Sequence, residues 1–270
     1  MKNIAYLLLL IIFASCEDVV NVDLETGSPK LVIDANILWQ KGTSGNEQKI
    51  KLTTTTDYYT NTIPTVSGAI VFVTNSQNTV FDFIEVPNTG EYVCTNFVPV
   101  INETYTLTVQ HGGITYKSTE KLYPTPTIDS VEQETVDVFG TNVIQVKFFF
   151  QDNGSETNYY LGTIKNQANA IPELGAFDDE FFQGNQMFGF YSDENLVAGN
   201  TINFKLQGIS LRYYNYMNKL ISIAGNSGGN PFSTPPATLR GNMVNQNNVD
   251  DYPLGYFHLS EVDTREYTIQ

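Results

Sequence analysis

The chain has 270 residues, of which 41% are hydrophobic and 13% aromatic, and its 29 acidic and 14 basic residues give a formal charge of −15. The apolar content is sufficient for a packed core and excludes an intrinsically disordered chain. The acidic balance argues against nucleic-acid binding and against attachment to anionic lipid, because both need a basic surface. One or two domains are expected at this length.

The first fifteen residues have the layout of an export signal. A lysine is followed by the apolar run 4–13 and by two small residues before Cys16. A run this short cannot span about 30 Å of hydrocarbon, which takes roughly 20 residues. The segment 13–16 (FASC) resembles the lipobox of bacterial lipoproteins, in which the cysteine is acylated. We therefore predict a signal peptide at 1–15 and a lipid on Cys16; the alternative is an ordinary secretory signal with an incidental cysteine.

Two acidic residues, Glu17 and Asp18, follow the cysteine directly. In Bacteroidota-type lipoproteins, acidic residues here resemble the signal that sends a protein to the outer face of the outer membrane. In enterobacterial sorting they favour retention in the inner membrane. We predict an outer-membrane protein facing the cell exterior, with residues 16–29 as a lipidated tether.

Short strands separated by turn residues predict an immunoglobulin-like or transthyretin-like β-sandwich over residues 30–123. Alternation of apolar and polar residues marks each strand, and turn residues such as Asn88-Thr89-Gly90 and His111-Gly112-Gly113 lie between strands. No helical segment interrupts them, which argues against a parallel α/β fold. The predicted strands are 31–38, 50–56, 69–74, 80–86, 92–97, 104–109 and 114–119.

Two prolines in residues 123–126 (YPTP) break the pattern and predict a domain boundary. The second domain, 127–270, is predicted to be β-rich with one helix at about 210–224. Ser210 can cap this helix, and Gly225 suits the position just after its end. The predicted strands of this half are 143–150, 159–164, 202–206, 254–262 and 267–269, and a long loop spans 225–252.

Residues with catalytic or metal-binding potential are few and fit no known motif. With Cys16 acylated, Cys94 has no disulfide partner and reads as a small buried hydrophobe. The two histidines, His111 and His258, do not form a zinc-binding pattern. The acidic segments 152–156 and 178–180 offer oxygen ligands for calcium, but neither has the spacing of a calcium-binding helix–loop–helix, and solvated loops are the simpler interpretation. We therefore predict a protein that is not an enzyme and has no cofactor.

Aromatic residues at strand ends are the remaining candidates for ligand binding. Trp39 is next to a polar loop, and Tyr58 and Tyr59 follow a strand. Such rings can stack on a ligand, although core or rim packing is the simpler interpretation.

Taken in order, several short segments resemble the domain of unknown function 4249 family, outer-membrane lipoproteins of Bacteroidota. Residues 152–153 depart from it, because Asn153 stands where the family has proline. The segments that carry the resemblance are Cys16-Glu17, 67–71 (SGAIV), 90–92 (GEY), 103–107 (ETYTL), 158–160 (NYY), 178–182 (DDEFF), 214–216 (YNY), 229–232 (GNPF) and 254–257 (LGYF).

The resemblance implies no established activity. Members of the family are often encoded beside TonB-dependent receptors, which implies an accessory or ligand-capture role in nutrient uptake. The alternative is a structural or adhesive surface protein without a small-molecule ligand. A concave aromatic site near Trp39 or the 225–252 loop would favour capture, and exposed edge strands on a smooth sandwich would favour adhesion.

Overall fold

The computed structural model describes residues 27–57, 60, 62–225 and 239–270. Within these ranges the chain forms fifteen β-strands and one helix, which confirms the prediction of a mainly β protein with a single helix. No helix in the described ranges is long and apolar enough to cross a membrane.

Eight strands form a closed circuit of hydrogen bonds around the first core. Their order is β15-β1-β2-β5-β4-β3-β6-β7, and β7 pairs back to β15. Alternate residues of these strands point inward, and the largest side chains that the circuit buries completely are Tyr92, Tyr105, Phe97 and Phe257. The bounds are β1 Leu31–Gln40, β2 Gln48–Thr54, β3 Ile70–Asn75, β4 Val80–Val86, β5 Glu91–Cys94, β6 Thr104–His111, β7 Ile114–Tyr123 and β15 Leu254–Thr268.

The other strands build a second, two-layered unit. One layer is the three-stranded sheet β12-β9-β8, and the other is β11-β10-β13 together with the end of β15. A second core fills the space between them, where Phe148 stacks on Phe204 with ring centroids 4.7 Å apart. The bounds are β8 Ile128–Val138, β9 Thr141–Gln151, β10 Tyr159–Asn166, β11 Glu173–Asp178, β12 Gln186–Asp193, β13 Thr201–Ile209, α1 Leu211–Gly225 and β14 Val244–Asn245.

The fifteen-residue strand β15 belongs to both units. Its first part pairs in parallel with β1, from Val32 with Leu254 to Gln40 with Val262. Its second part pairs antiparallel with β13. Residues 254–262 and 267–269 were predicted as two separate strands, but one continuous strand runs from Leu254 to Thr268. Residues 124–127, which overlap the predicted boundary at 123–126, connect β7 to β8, while β15 carries the C-terminal segment back into the first sheet.

The connection at 124–127 is fixed by buried hydrogen bonds. Thr125 Oγ1 donates to the Glu261 carbonyl at 2.6 Å and accepts from the Gly208 amide, and the Ser260 hydroxyl donates to the Gly208 carbonyl at 2.8 Å. Because these bonds join β13, β15 and the connection, the two units meet at a tightly packed point.

Residues 239–245 form a strap beside the start of β15. Asn242 behaves like a strand partner, because its Oδ1 accepts from the Phe257 amide at 2.9 Å and its Nδ2 donates to the Phe257 carbonyl at 2.7 Å. The same Nδ2 also donates to the buried carboxylate of Glu120 on β7, at 3.0 Å. Burial raises the pKa of Glu120, against the opposing effect of this hydrogen bond.

Four strands were absent from the sequence prediction: β8, β11, β12 and the two-residue β14. Strand β8 (IDSVEQETVDV) is mostly polar because it is an edge strand with one face in solvent. Strand β12 carries phenylalanines on its exposed face, so its alternation is masked. The helix prediction is confirmed at 211–225, and Ser210 caps it as expected, because its Oγ accepts from the Tyr213 amide at 3.1 Å.

Candidate functional site

A groove of about 490 Å³ lies between α1 and the outward face of β10, β13, β15 and β1. We call it the helix–sheet groove. The helix forms one wall of the groove because it packs across β10 and β11. Its walls combine apolar and polar side chains, chiefly Asp34, Leu161, Thr163, Leu174, Lys205, Tyr216, Leu220 and His258.

The helix contributes the apolar wall. Tyr213 and Met217, four residues apart, are buried against Leu161, Ile209 and Tyr256. This spacing places both side chains on one face of the helix. Tyr216 and Leu220 lie beside them on the groove side and remain partly accessible.

Four rings form a cluster at the end of the groove next to the helix. The Tyr213 ring stacks on the His258 imidazole with centroids 3.9 Å apart and planes 18° apart. The Tyr256 ring contacts both Tyr213 and Tyr216, at 4.8 and 4.7 Å. Burial raises the pKa of all three tyrosines, so their hydroxyls stay protonated at neutral pH.

His258 is buried, with 5% of its surface exposed, and is held as a neutral ring. Burial, together with the nearby charge of Lys205, lowers the pKa of His258 to about 3. One ring nitrogen, Nε2, lies 3.4 Å from Gln207 Oε1, and the other, Nδ1, has no hydrogen-bond partner among the described residues. A buried nitrogen without a partner costs free energy, so a group that enters the groove and pairs with it would be stabilised.

Three side chains on adjacent strands form a polar row at the edge of the groove. Thr163 and Lys205 line the groove, and Thr264 lines an adjoining hollow that Lys205 shares. Lys205 on β13 is paired in register with Thr163 on β10 and with Thr264 on β15, and alternation places all three on the outward face. Desolvation lowers the pKa of Lys205, and within the described ranges its ammonium forms no ion pair. Thr163 Oγ1 is buried, and the described part of the chain gives it no partner either. We call these residues the Thr163–Lys205–Thr264 row.

A carboxylate stands at the opposite wall of the groove. Asp34 on β1 accepts a hydrogen bond from Asn36 Nδ2. Although its side chain remains accessible to solvent, the surrounding walls desolvate it and raise its pKa, while Lys51 acts in the opposite direction. The groove therefore has an acidic side at β1 and a basic side at β13.

Every buried side-chain atom that has no hydrogen-bond partner among the described residues belongs to a residue that lines this groove. Within the described residues these atoms are Thr163 Oγ1, Tyr256 Oη and His258 Nδ1. The Tyr256 hydroxyl is near Glu120 and Ser210 but forms no hydrogen bond of standard geometry with either. This concentration in one place distinguishes the groove from the rest of the described surface.

Trp39, the principal ligand-binding candidate of the sequence analysis, lies outside the groove. Its Nε1 donates to the Thr43 carbonyl at 2.9 Å, and its ring packs against the first core. A side chain on Gly45 would lie 2.5 Å from the indole Cδ1, so the 41–46 loop closes directly over the ring. The ring thus anchors this loop, and a ligand-binding role for Trp39 stays a prediction.

Several other predicted residues lie outside the described part of the chain. These are the lipidation site Cys16, the sorting residues Glu17 and Asp18, and the tyrosines Tyr58 and Tyr59. The 225–252 loop is described only from residue 239, where it forms the strap with Asn242.

The acidic loops use their carboxylates to hold the chain. Asp152 accepts from the Tyr160 hydroxyl at 2.6 Å and from the Gly184 amide at 2.8 Å. Asp179 accepts from the Asn158 amide at 2.8 Å. Among the described residues, no three His, Cys, Asp or Glu side chains come together as a metal site.

The other residues considered for chemistry are separated from one another. Cys94 is buried in the first core, its Sγ lies 3.2 Å from Asn96 Oδ1, and burial raises the pKa of its thiol. His111 stands at the hairpin between β6 and β7, away from His258.

The residues of the groove gave only a partial signal in the sequence. Alternation of apolar and polar residues predicted the strands that carry Lys205 and His258, and the capping residues predicted the helix α1. That the strands and the helix face each other depends on chain pairing that no local pattern records.

Comparison with known proteins gives a family and distant structural likenesses. The model of the family described as domain of unknown function (DUF4249) matches residues 17–266. No curated protein matches the chain. A two-domain fibronectin type-III segment of chicken tenascin is 11% identical, with 67% of this chain and 90% of that chain covered and a TM-score of 0.22.

Two further solved structures show similarly weak likeness. A cytokine receptor complex is 7% identical, with 66% of this chain and 83% of that chain covered and a TM-score of 0.25. A DUF4785 family protein from Legionella pneumophila is 12% identical, with 66% and 51% covered and a TM-score of 0.23. The family match covers almost the whole described chain, and the protein belongs to the DUF4249 family.

Proposed function

We propose that this protein is a non-enzymatic outer-membrane lipoprotein, anchored by a lipid on Cys16 and facing the cell exterior. In this proposal it captures a small ligand in the helix–sheet groove and serves as an accessory of a TonB-dependent transporter in nutrient uptake. The proposal includes an immunoglobulin-like domain at residues 30–123, with a domain boundary at 124–126.

One observation carries the capture function. The buried side-chain atoms without partners in the described residues, Thr163 Oγ1, Tyr256 Oη and His258 Nδ1, all belong to residues that line one concave site. Ligand pockets combine an apolar wall with a few convergent polar groups, and the groove has this composition. This concave site, lined by the tyrosines of α1, supports the proposal, although such a site was expected near Trp39 or the 225–252 loop.

The transporter partnership is tested by what co-purifies with the lipidated protein from gently solubilised outer membranes. Recovery of a TonB-dependent receptor in near-equal amount would support the proposal. Recovery of the protein without such a receptor would overturn the transporter role.

The groove itself is tested in cells by filling it. Leu220→Trp places a larger side chain at the exposed rim of the groove, and Lys219→Trp places the same side chain on the neighbouring solvent-facing position of α1. We expect uptake of the receptor's nutrient to fall with the first variant and to remain normal with the second. Equal uptake with both variants would count against capture in the groove.

A structural or adhesive role is the second candidate, and the three-stranded sheet favours it. Phe188 and Phe190 are exposed on the outer face of β12, at 46% and 55%, and Phe149 on β9 contacts Phe188. Exposed aromatic patches of this kind are typical of protein contact surfaces. If Phe188→Ser together with Phe190→Ser abolished cell attachment but left nutrient uptake intact, the adhesive role would replace the capture role.

A further inference from the structure

Lys205 is an ammonium group without a counter-charge inside a partly apolar groove. Within the described residues it has no ion pair, and desolvation is the cause of its lowered pKa. An ammonium in such surroundings costs free energy unless an anion joins it. Two carboxylates share its surroundings, Asp34 across the groove and Glu266 in the adjoining hollow, but neither comes within ion-pair distance of the Lys205 ammonium.

Hydroxyl groups flank the ammonium on both sides. Thr163 and Thr264 are the in-register neighbours of Lys205, about 5 Å away across the strands. The Thr163 hydroxyl is buried and has no partner in the described chain, so it can donate to an acceptor bound at Lys205. The Thr163–Lys205–Thr264 row thus offers one positive charge with a hydroxyl on either side.

The apolar residues of the groove lie on the helix side of this row. Leu174 on β11 and Leu220 on α1 are exposed hydrophobic side chains at the two rims, at 41% and 38%. Leu161 and Tyr216 lie between them. An apolar group bound here would cover both leucines and be stabilised by about 25 cal/mol for each Å² removed from water.

We infer that the helix–sheet groove binds an amphipathic organic carboxylate, with the acid group on the Thr163–Lys205–Thr264 row and the apolar body against Leu161, Leu174 and Leu220. This inference rests on the proposed capture function and names its ligand class. It assigns Lys205 as the residue that selects a charged ligand over a neutral one.

The charges of the groove also fix the direction of the ligand. Asp34 at the opposite wall repels an anion, so the acid group lies at the β13 side and the apolar body extends toward α1. A single ammonium balances a monoanionic carboxylate, whereas a phosphate dianion would retain an unpaired charge in the groove. A neutral ligand would leave Lys205 unpaired and is disfavoured for that reason.

The test compares phenylbutyrate with phenylbutyramide, which has the same apolar body and no charge. Binding to the purified lipidated protein in detergent micelles is measured by calorimetry, with a titration into micelles alone subtracted. We expect the acid to bind roughly tenfold or more tightly than the amide, because charge-assisted hydrogen bonds are stronger than neutral ones.

Variants assign the difference to particular residues. Lys205→Met should weaken binding of the acid by roughly 10- to 100-fold and leave the amide nearly unchanged. Thr163→Val, which keeps the side-chain shape, should weaken the acid by a smaller factor. Lys117→Met removes an exposed lysine on β7 and should leave the affinities for the acid and the amide unchanged. Thermal unfolding of each variant checks that the fold is intact.

The outcomes separate this inference from the proposed function. Equal binding of acid and amide, or an unchanged acid affinity in Lys205→Met, would overturn the carboxylate assignment. If Leu220→Asp nevertheless weakened the binding of both compounds, capture in the groove would stand without the carboxylate assignment. Failure of both compounds to bind the native protein would also overturn the assignment, and the transporter experiment would then decide the function independently.

Discussion

Gly208 on β13 and Pro124 in the connection after β7 approach each other so closely that no side chain fits between them. A Cβ on Gly208 would lie 1.8 Å from the Pro124 carbonyl oxygen. The same glycine bonds to Thr125 and Ser260, so the contact fixes how the two β units meet. The groove lies beside this point, because Gln207, the preceding residue, contacts His258.

Gly208→Ala is expected to destabilise the protein, because the backbone must move to accept the new methyl group. Overpacking of this kind typically lowers the free energy of unfolding by about 1–3 kcal/mol. Urea unfolding measures the change. Gly175→Ala, where nothing lies within 4 Å of the added Cβ, is the matched control and should change stability by less than about 0.5 kcal/mol. Equal effects of both substitutions would show that the contact with Pro124 is not tight.

Asp152→Ala should lower the free energy of unfolding by about 1–3 kcal/mol, because the buried Tyr160 hydroxyl loses its acceptor and the more accessible Gly184 amide loses a hydrogen bond. Chemical denaturation checks this value. Glu156→Gln in the same loop is exposed and should have little effect. If added calcium stabilised the wild-type protein and not the Asp152 variant, the loop would be a cation site and the structural interpretation would fail.

His258 should make the protein less stable as the pH falls. Its ordinary pKa is 6.5 and burial lowers the pKa of the folded form to about 3. Between these values the unfolded chain binds a proton at this residue and the folded chain does not, so stability decreases as the pH is lowered through this interval. The slope for one such group is at most about 1.4 kcal/mol per pH unit.

His258→Gln removes this group, so the unfolding free energy of the variant should fall less than that of the wild type as the pH is lowered from 6.5. The burial-raised pKa values of Asp34 and Glu120 act with the opposite sign in both proteins and cancel in the difference. His111→Gln is the control at the β6–β7 hairpin. Identical pH profiles for wild type and His258→Gln would contradict the burial of a neutral imidazole.

Trp39→Phe distinguishes packing from ligand binding. The variant keeps an aromatic ring but loses the hydrogen bond to the Thr43 carbonyl, so we expect a loss of about 1 kcal/mol in unfolding free energy and normal nutrient uptake. Thermal unfolding and uptake are measured on the same variant. Normal stability with impaired uptake would instead make Trp39 a ligand contact.

Cys16→Ala should release the protein from the membrane fraction, because each buried CH₂ of an acyl chain contributes about 0.8 kcal/mol to anchoring. Fractionation with immunodetection checks the outcome. If the variant stayed as firmly membrane-bound as the wild type, the lipid anchor would be wrong.

Strand prediction from the sequence succeeded where one face of a strand is apolar and the other is exposed to solvent. Alternation in Ile202, Phe204 and Leu206 identified β13, and the Ser210 cap with Gly225 identified α1. Prediction failed for β8, an edge strand whose residues are mostly polar, because its few apolar residues follow no regular period.

The candidate site was not predictable in the same way. Trp39 attracted attention as the single tryptophan at a strand end, yet its ring is enclosed by Gly45 and the first core. Lys205 was not singled out from the sequence. It is half-buried in the groove beside α1, which packs across β10 and β11, and this arrangement depends on long-range packing.

The sequence by itself determined the mainly β class, the position of the helix and the inward face of most strands, because these follow from local periodicity and capping. Tertiary structure alone decided that β15 pairs with both β1 and β13, and that Thr163, Lys205 and Thr264 share one row across three strands. Periodicity records which face of a strand is apolar, but the choice of partner depends on the free energy of the whole packed arrangement. The neutral His258 and the unpaired Lys205 are products of that choice.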